Sequence, residues 1–265
     1  MKRISLCFCI CILLSLASCA FDKKDSGIAT EAETECRHQF VNNECACGAY
    51  RESEGLVFEE CQEGIYAFSG LGSCRDTCVV IPATHNGKPV EVFWPITYDE
   101  HSQKVEKVVL PDSVKTVSPE AFSQMPRLKT VVLSNGIDRL RERTFYACPK
   151  LEKIVIRSGV VTIERFCFQK CTALKTVVLP NTLKEIKDQA FEGCTALEQI
   201  TLPASIRYLR LRAFYDCKLL QITFAGTKEQ FGNIYREGGW CHGIVSRSIT
   251  CSDGNYIVED GRETA

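Results

Sequence analysis

The residues of this chain best equipped for chemistry lie in Cys36-Arg-His38-Gln-Phe-Val-Asn-Asn-Glu-Cys45-Ala-Cys47. One Cys/His pair and one Cys/Cys pair, separated by a short hairpin-like run, offer four nitrogen and sulfur ligands to a tetrahedral structural zinc. A single residue separates the members of each pair, where about two to four are usual for zinc. A disulfide-stapled turn, joining Cys36 to Cys45 or Cys47, is therefore an equal alternative on an exported chain. Both readings are structural, because four protein ligands leave no open position for a substrate. The chain has 4 His, namely His38, His85, His101 and His242, in unrelated contexts. A dyad of Cys241 with His242 is discounted, since adjacent side chains rarely face one another. With no Gly-rich phosphate loop, nucleophile elbow or metal-hydrolase motif, the sequence predicts no enzyme.

Ahead of this cluster, Lys2 and Arg3 precede an apolar run from Ile4 to Leu14, followed by Leu16-Ala17-Ser18-Cys19. The run is too short to span a bilayer, and residues 1–18 read as a secretory signal peptide. Leu16 to Cys19 in that place resembles a bacterial lipobox, which implies diacylation of Cys19; the alternative is an ordinary signal cleaved nearby. Acyl chains anchor a protein to a membrane without spanning it. Residues 19–35, with Asp22, Lys23, Lys24, Asp25, Glu31, Glu33 and Glu35 and few large apolar groups, read as a flexible tether. A formal net charge of −1 argues against a nucleic-acid partner, which calls for a basic stripe.

The elements that position everything else are repeats. Leu174 to Ala196 recurs every 23 residues, with copies starting at Val105, Leu128, Leu151 and Leu197. The apolar columns coincide: Val108, Val131, Ile154, Val177 and Ile200; Leu110, Leu133, Ile156, Leu179 and Leu202; Phe122, Phe145, Phe168, Phe191 and Phe214. A period of this length predicts a β-rich repeat solenoid of parallel strands, short turns and 3₁₀ segments, capped at both ends. In one copy Leu174, Val177 and Leu179 point inward, Pro180-Asn181 turns the chain, Leu183 and Ile186 bury a second short strand, and Gln189 to Cys194 bends around Phe191. The Cys/His cluster is assigned to 36–54, a capping repeat to 55–104, the regular repeats to 105–224, and a C-terminal cap and tail to 225–265. In the first of these caps Asn86-Gly87 signals a turn between strand-like runs, and the Ala-Phe and Cys columns are missing. In the second, Phe231, Ile234, Tyr235 and Trp240 are suited to covering the last coil, and Cys241 can pair with Cys251.

Of 17 Cys, those at 148, 171, 194 and 217 recur at the repeat period, where a small soft hydrophobe is wanted. Cys167 fills a column otherwise held by Ala or Thr. These read as packed, inert thiols, and an exported chain so rich in them points to a reducing or anaerobic habitat.

Two outward columns carry the candidate binding face. Glu106, Lys129, Glu152, Lys175 and Glu198 alternate in sign, which serves strand-to-strand pairing. Beside them Val109, Val132, Val155, Val178 and Thr201 form a β-branched stripe, explained either by strand propensity or by an apolar strip for a protein partner. Arg139, Arg141, Arg143, Arg157 and Arg165, with Arg207, Arg210 and Arg212, form a basic region elsewhere, either solvated or attractive to an acidic glycan.

The unit of Leu174, Val177, Leu179, Pro180, Leu183, Ile186, Ala190, Phe191, Cys194 and Leu197 resembles the BspA-type (Treponema-type) leucine-rich repeat. The likeness runs from Gly55 to Val258, with a similar lead-in (Gly70-Leu-Gly-Ser-Cys74, Val80-Ile-Pro82, Asn86-Gly87) and a similar closing stretch (Phe224 to Phe231). It implies a bacterial envelope or secreted protein that adheres to a protein or glycoprotein ligand, including host extracellular ones, and it brings no catalytic residues. The alternative is an architectural envelope protein without a specific ligand. If the Cys19 reading holds, Cys19→Ala moves the protein from the membrane fraction to the soluble fraction on fractionation; a wild-type protein already soluble after signal removal refutes the anchor.

Overall fold

The computed structural model describes residues 40–41, 43–45 and 49–258, which fall into two units, Met1–Arg51 and Glu52–Ala265. In the first, strands Phe40–Val41 and Glu44–Cys45 pair antiparallel around Asn43, which is buried and has φ 63°. Its side-chain oxygen accepts from Nε and Nη2 of Arg51 at 3.2 and 3.1 Å. Cys19, Cys36, His38, Cys47 and the side chain of Cys45 lie outside the described residues.

The second unit is a solenoid with two parallel strand ladders. The first runs Cys78–Val80, Lys107–Val109, Thr130–Val132, Lys153–Val155 and Thr176–Val178. The second runs Arg139–Leu140, Thr162–Ile163, Glu185–Ile186, Tyr208–Leu209 and Tyr235–Arg236. Within the regular repeats partners are residues one period apart, as in Val131 with Val108 and Ile163 with Leu140. Each strand is too short to hold its own shape, so its pairing partners come entirely from neighbouring coils.

Between the second strand and the next copy of the first, the chain turns through left-handed conformations at fixed columns. Glu120, Arg143, Phe166, Gln189 and Arg212 have φ of 53–60°, and Gln124, Ala147, Lys170, Gly193 and Asp216 share that sign. A non-glycine residue there costs about 1 kcal/mol. The twist turns alternate N–H groups along the stack: Gln189 N donates to Leu211 O, Phe191 N to Ala213 O and Gly193 N to Tyr215 O. The main-chain bonds so gained offset the strain, and explain why the column tolerates Lys170 where Gly193 stands one coil later.

The core is a single file of like residues. Phe68, Phe93, Phe122, Phe145, Phe168, Phe191 and Phe214 are fully buried and stack ring on ring, with centroids 5.1 Å apart and planes within 5° for Phe145 and Phe168. Phe68 and Phe93 belong to the N-terminal cap, so the cap does supply the phenylalanine column that its sequence lacks as an Ala-Phe motif. It does so from strands Ile65–Gly70 and Lys88–Phe93, which pair parallel. The Asn86-Gly87 turn is left-handed at both residues, φ 50° and 75°, as a two-residue hairpin requires. At the other end Trp240 meets Phe214 edge-on, centroids 6.3 Å apart, and a helix at Lys228–Gly232 opens with a capping box between Thr227 and Gln230. An antiparallel hairpin, Ser248–Cys251 with Gly254–Ile257, closes the stack. Two expectations fail here. Cys241, in a turn, and Cys251, at a strand end, are free thiols, and Tyr235 is exposed instead of covering the last coil.

The periodic cysteines do more than fill space. The thiols of Cys148, Cys171, Cys194 and Cys217 donate to the carbonyls of Phe122, Phe145, Phe168 and Phe191 at 2.9, 3.0, 3.2 and 3.1 Å. Burial pushes Cys148 and Cys217 from 9.0 up to about 12, and raises Cys171 and Cys194 as well. The folded state thus favours the protonated thiols, and this contribution is fully present below the unfolded value of 9.0 and lost as pH rises toward the folded values. Chemical denaturation should show stability falling between pH 9.0 and about 12, with a shallower fall when all four cysteines are replaced by alanine. An identical slope in that variant removes the thiols from the account.

Candidate functional site

The first ladder presents its outward columns to solvent; Val109, Val132, Val155 and Val178 of the stripe lie on it, while Thr201 lies in the next sheet, on Gln199–Leu202. Val109 pairs with Val132, and Val155 with Val178. The stripe is not uniform. Val109 is only 8% exposed whereas Val178 is 40% exposed, with Val132 and Val155 half-buried between them and Thr201 exposed. Covering at the N-terminal end begins beyond the stripe, at Val80. There Ser53 N donates to Val80 O at 2.9 Å, and Val80 N donates to the Ser53 hydroxyl at 3.0 Å. Ser53 thus caps the strand edge that pairing would otherwise leave open.

The ladder also breaks. Thr176–Val178 ends one hydrogen-bonded sheet and Gln199–Leu202 begins another. The latter pairs over four residues with Gln221–Phe224, Ile200 opposite Ile222, in a sixth coil that has one residue fewer between Leu220 and Ile222 than the fifth has between Leu197 and Ile200. At the break lies a notch of about 560 Å³ lined by Lys175, Val178, Leu179, Gln199, Thr201 and Pro203, among others. Leu179, expected to point fully inward, is only partly buried there. The result is a polar-rimmed recess with an apolar floor, set where the valine stripe is most exposed. Sequence spacing gives no sign of the break, which falls between two coils of full length.

Charges on this face are local. Lys129 Nζ lies 2.8 Å from Glu106 Oε2 and, by hydrogen bond and charge, holds that carboxylate below its ordinary range. The basic region is largely neutralised: Arg143 meets Glu120, Arg165 meets Asp188, and Arg210 meets Glu185 and Glu237. Arg157 and Arg207 donate to main-chain carbonyls. His85 is packed between Phe58 and Tyr66, 4.6 and 4.9 Å between centroids. Among the described residues no group of three or more His, Cys, Asp or Glu is placed to hold a metal. A second hollow, about 1200 Å³, lies at the C-terminal end beside Trp240, Arg236 and Tyr256.

The family model that matches is described as BspA type Leucine rich repeat region, in six copies over residues 98–233. Among solved structures, a Leucine Rich Repeat protein of T. pallidum is 24% identical, with 73% of this chain and 91% of that one covered and a TM-score of 0.62. The pneumococcal vaccine antigen PcpA is 19% identical, with 71% of this chain and 50% of that one covered and a TM-score of 0.51. Nothing among curated proteins matches the chain.

The gradient along the stripe separates scaffold from surface. Val109→Thr buries a hydroxyl in an apolar site and should cost about 1–3 kcal/mol. Val178→Thr should stay within about 0.5 kcal/mol. Equal losses in chemical denaturation refute the distinction.

Proposed function

The chain belongs to the BspA-type leucine-rich repeat family, and from that premise we propose that it is a protein-binding module of a bacterial cell envelope. Its ligand is a protein or glycoprotein, including host extracellular ones, and the binding face is the exposed part of the first ladder. The observation that carries this reading is the conjunction of Val155 and Val178, progressively exposed along one column, with the recess where the ladder breaks. A protein partner gains from such an arrangement because apolar anchors fill a recess while the polar rim sets orientation. The membrane attachment rests on the leader and Cys19: one lipidated residue holds the molecule to a bilayer while the tether frees the solenoid to reach outward. No catalytic role enters the proposal.

The competing reading, an architectural protein without a ligand, makes the stripe a consequence of strand propensity alone. Replacing Val132, Val155 and Val178 together by Thr keeps the β-branched shape and removes apolar surface. On an array of purified extracellular-matrix and serum proteins, the wild type should capture a partner. The triple variant should lose at least about tenfold in affinity, roughly 1.4 kcal/mol, with little change in melting temperature. A lowered melting temperature with unchanged capture returns the stripe to scaffold.

A further inference from the structure

The second ladder has its own outward column, which reads Arg139, Thr162, Glu185, Tyr208 and Tyr235 through successive coils. Aromatic rings appear only in its last two coils, so the repeat does not demand them. Tyr208 and Tyr235 are direct partners in the parallel register, their ring centroids 6.1 Å apart and their planes inclined by 58°. They are 43% and 54% exposed.

Arg210 fixes them in place. Its guanidinium carbon lies 4.8 Å from the Tyr208 centroid and 5.4 Å from that of Tyr235. Arg210 Nε donates to Glu185 Oε1 at 2.6 Å and Nη1 to Glu237 Oε1 at 3.0 Å. The other oxygen of Glu237 accepts from Leu211 N at 3.1 Å. Two carboxylates from flanking coils thus hold one guanidinium, which holds two rings: a preorganised surface whose side chains have little rotamer freedom left to lose on binding.

We propose that Tyr208, Tyr235 and Arg210 form a binding site for a neutral carbohydrate chain. Three features select that ligand. Half-exposed aromatic faces accept the C–H faces of pyranose rings, while the phenol hydroxyls remain in water for hydrogen bonding. The guanidinium that touches the rings is spent: Arg210 carries two carboxylates, Glu185 and Glu237, and Arg207 beside Tyr208 directs its Nη1 to the carbonyls of Ala204 and Ile206, so the group in contact with the rings offers an anionic chain no free charge. The carboxylates that hold Arg210 retain acceptor lone pairs, and Arg210 retains N–H donors beyond the two it commits to them, a combination that suits hydroxyls that both donate and accept. A protein hot spot instead needs a surround that excludes water, whereas these rings are bordered by Glu185, Glu237 and Arg207. This site lies on a different ladder from the valine stripe, and the two readings stand or fall separately.

The test is an array of neutral cello-, xylo-, manno- and chito-oligosaccharides beside uronic-acid and sialylated chains, followed by calorimetric titration of the best binder. Tyr208→Thr and Tyr235→Thr each install the residue that the same column holds at Thr162, so the coil keeps its strand chemistry; the double Tyr→Phe variant keeps both rings. The wild type should bind a neutral chain with little dependence on salt. Each Thr variant should weaken binding by at least about tenfold, while the Phe variant stays within about threefold of the wild type. The proposal is overturned if no neutral chain binds, if binding is confined to acidic chains and collapses with salt, or if folded Thr variants bind as the wild type does.

Discussion

One distance governs the unit from Glu52 onward: the separation of hydrogen-bonded parallel strands in successive coils, about 4.8 Å. Each residue sits one such step from its own copy, so a column accepts only side chains that tolerate themselves as neighbours. Phenylalanine does, because rings spaced 5.0–5.2 Å apart stack face to face without clash. Alternating charge does, as in Glu106 beneath Lys129 and Glu164 beneath Lys187. Cysteine does because each thiol donates to the carbonyl of the coil before it. The left-handed turns serve the same step, since they aim alternate N–H groups along the stack.

Much of this was legible in the residues. A column of identical types at a constant period names its own neighbours, so the ladders, the phenylalanine file and the burial of the periodic cysteines followed without coordinates. What was not legible lies where the period fails. Phe68 and Phe93 continue the ring stack from strands with no repeat motif, because a ring needs only the right place, not the right neighbours in sequence. The break after Val178 falls between two coils in which every column of the repeat is in place, so the pattern does not mark it. Tyr235, apolar enough to suggest a cap, stays outside because Phe231, Ile234 and Trp240 already fill the end of the core. The thiol bonds were hidden because pattern shows which residue is buried but not which atom it faces.

The faces that the repeat leaves unconstrained are where departures accumulate. Along the outward stripe valine gives way to threonine as exposure rises, and along the second ladder Thr162 and Glu185 give way to two tyrosines. Both changes fall in the later coils, next to the shortened one. The early coils are the more uniform, with Val80 held under Ser53 and Val109 also buried. The stack thus combines a regular N-terminal half, which supplies cohesion, with a C-terminal half in which side chains are released from that duty.

The thiol column imposes an order of events. In the unfolded chain four cysteines one period apart carry ordinary acidity and are open to an oxidant; once stacked, their sulfurs are buried, protonated and committed to carbonyls. Folding and oxidation therefore compete for the same atoms. Whichever is faster decides the outcome, because a chain that forms disulfides first has consumed the donors its coils need to close. The outcome then depends on the rate at which neighbouring coils meet, and the column acts as a kinetic seal whose value is set during folding itself.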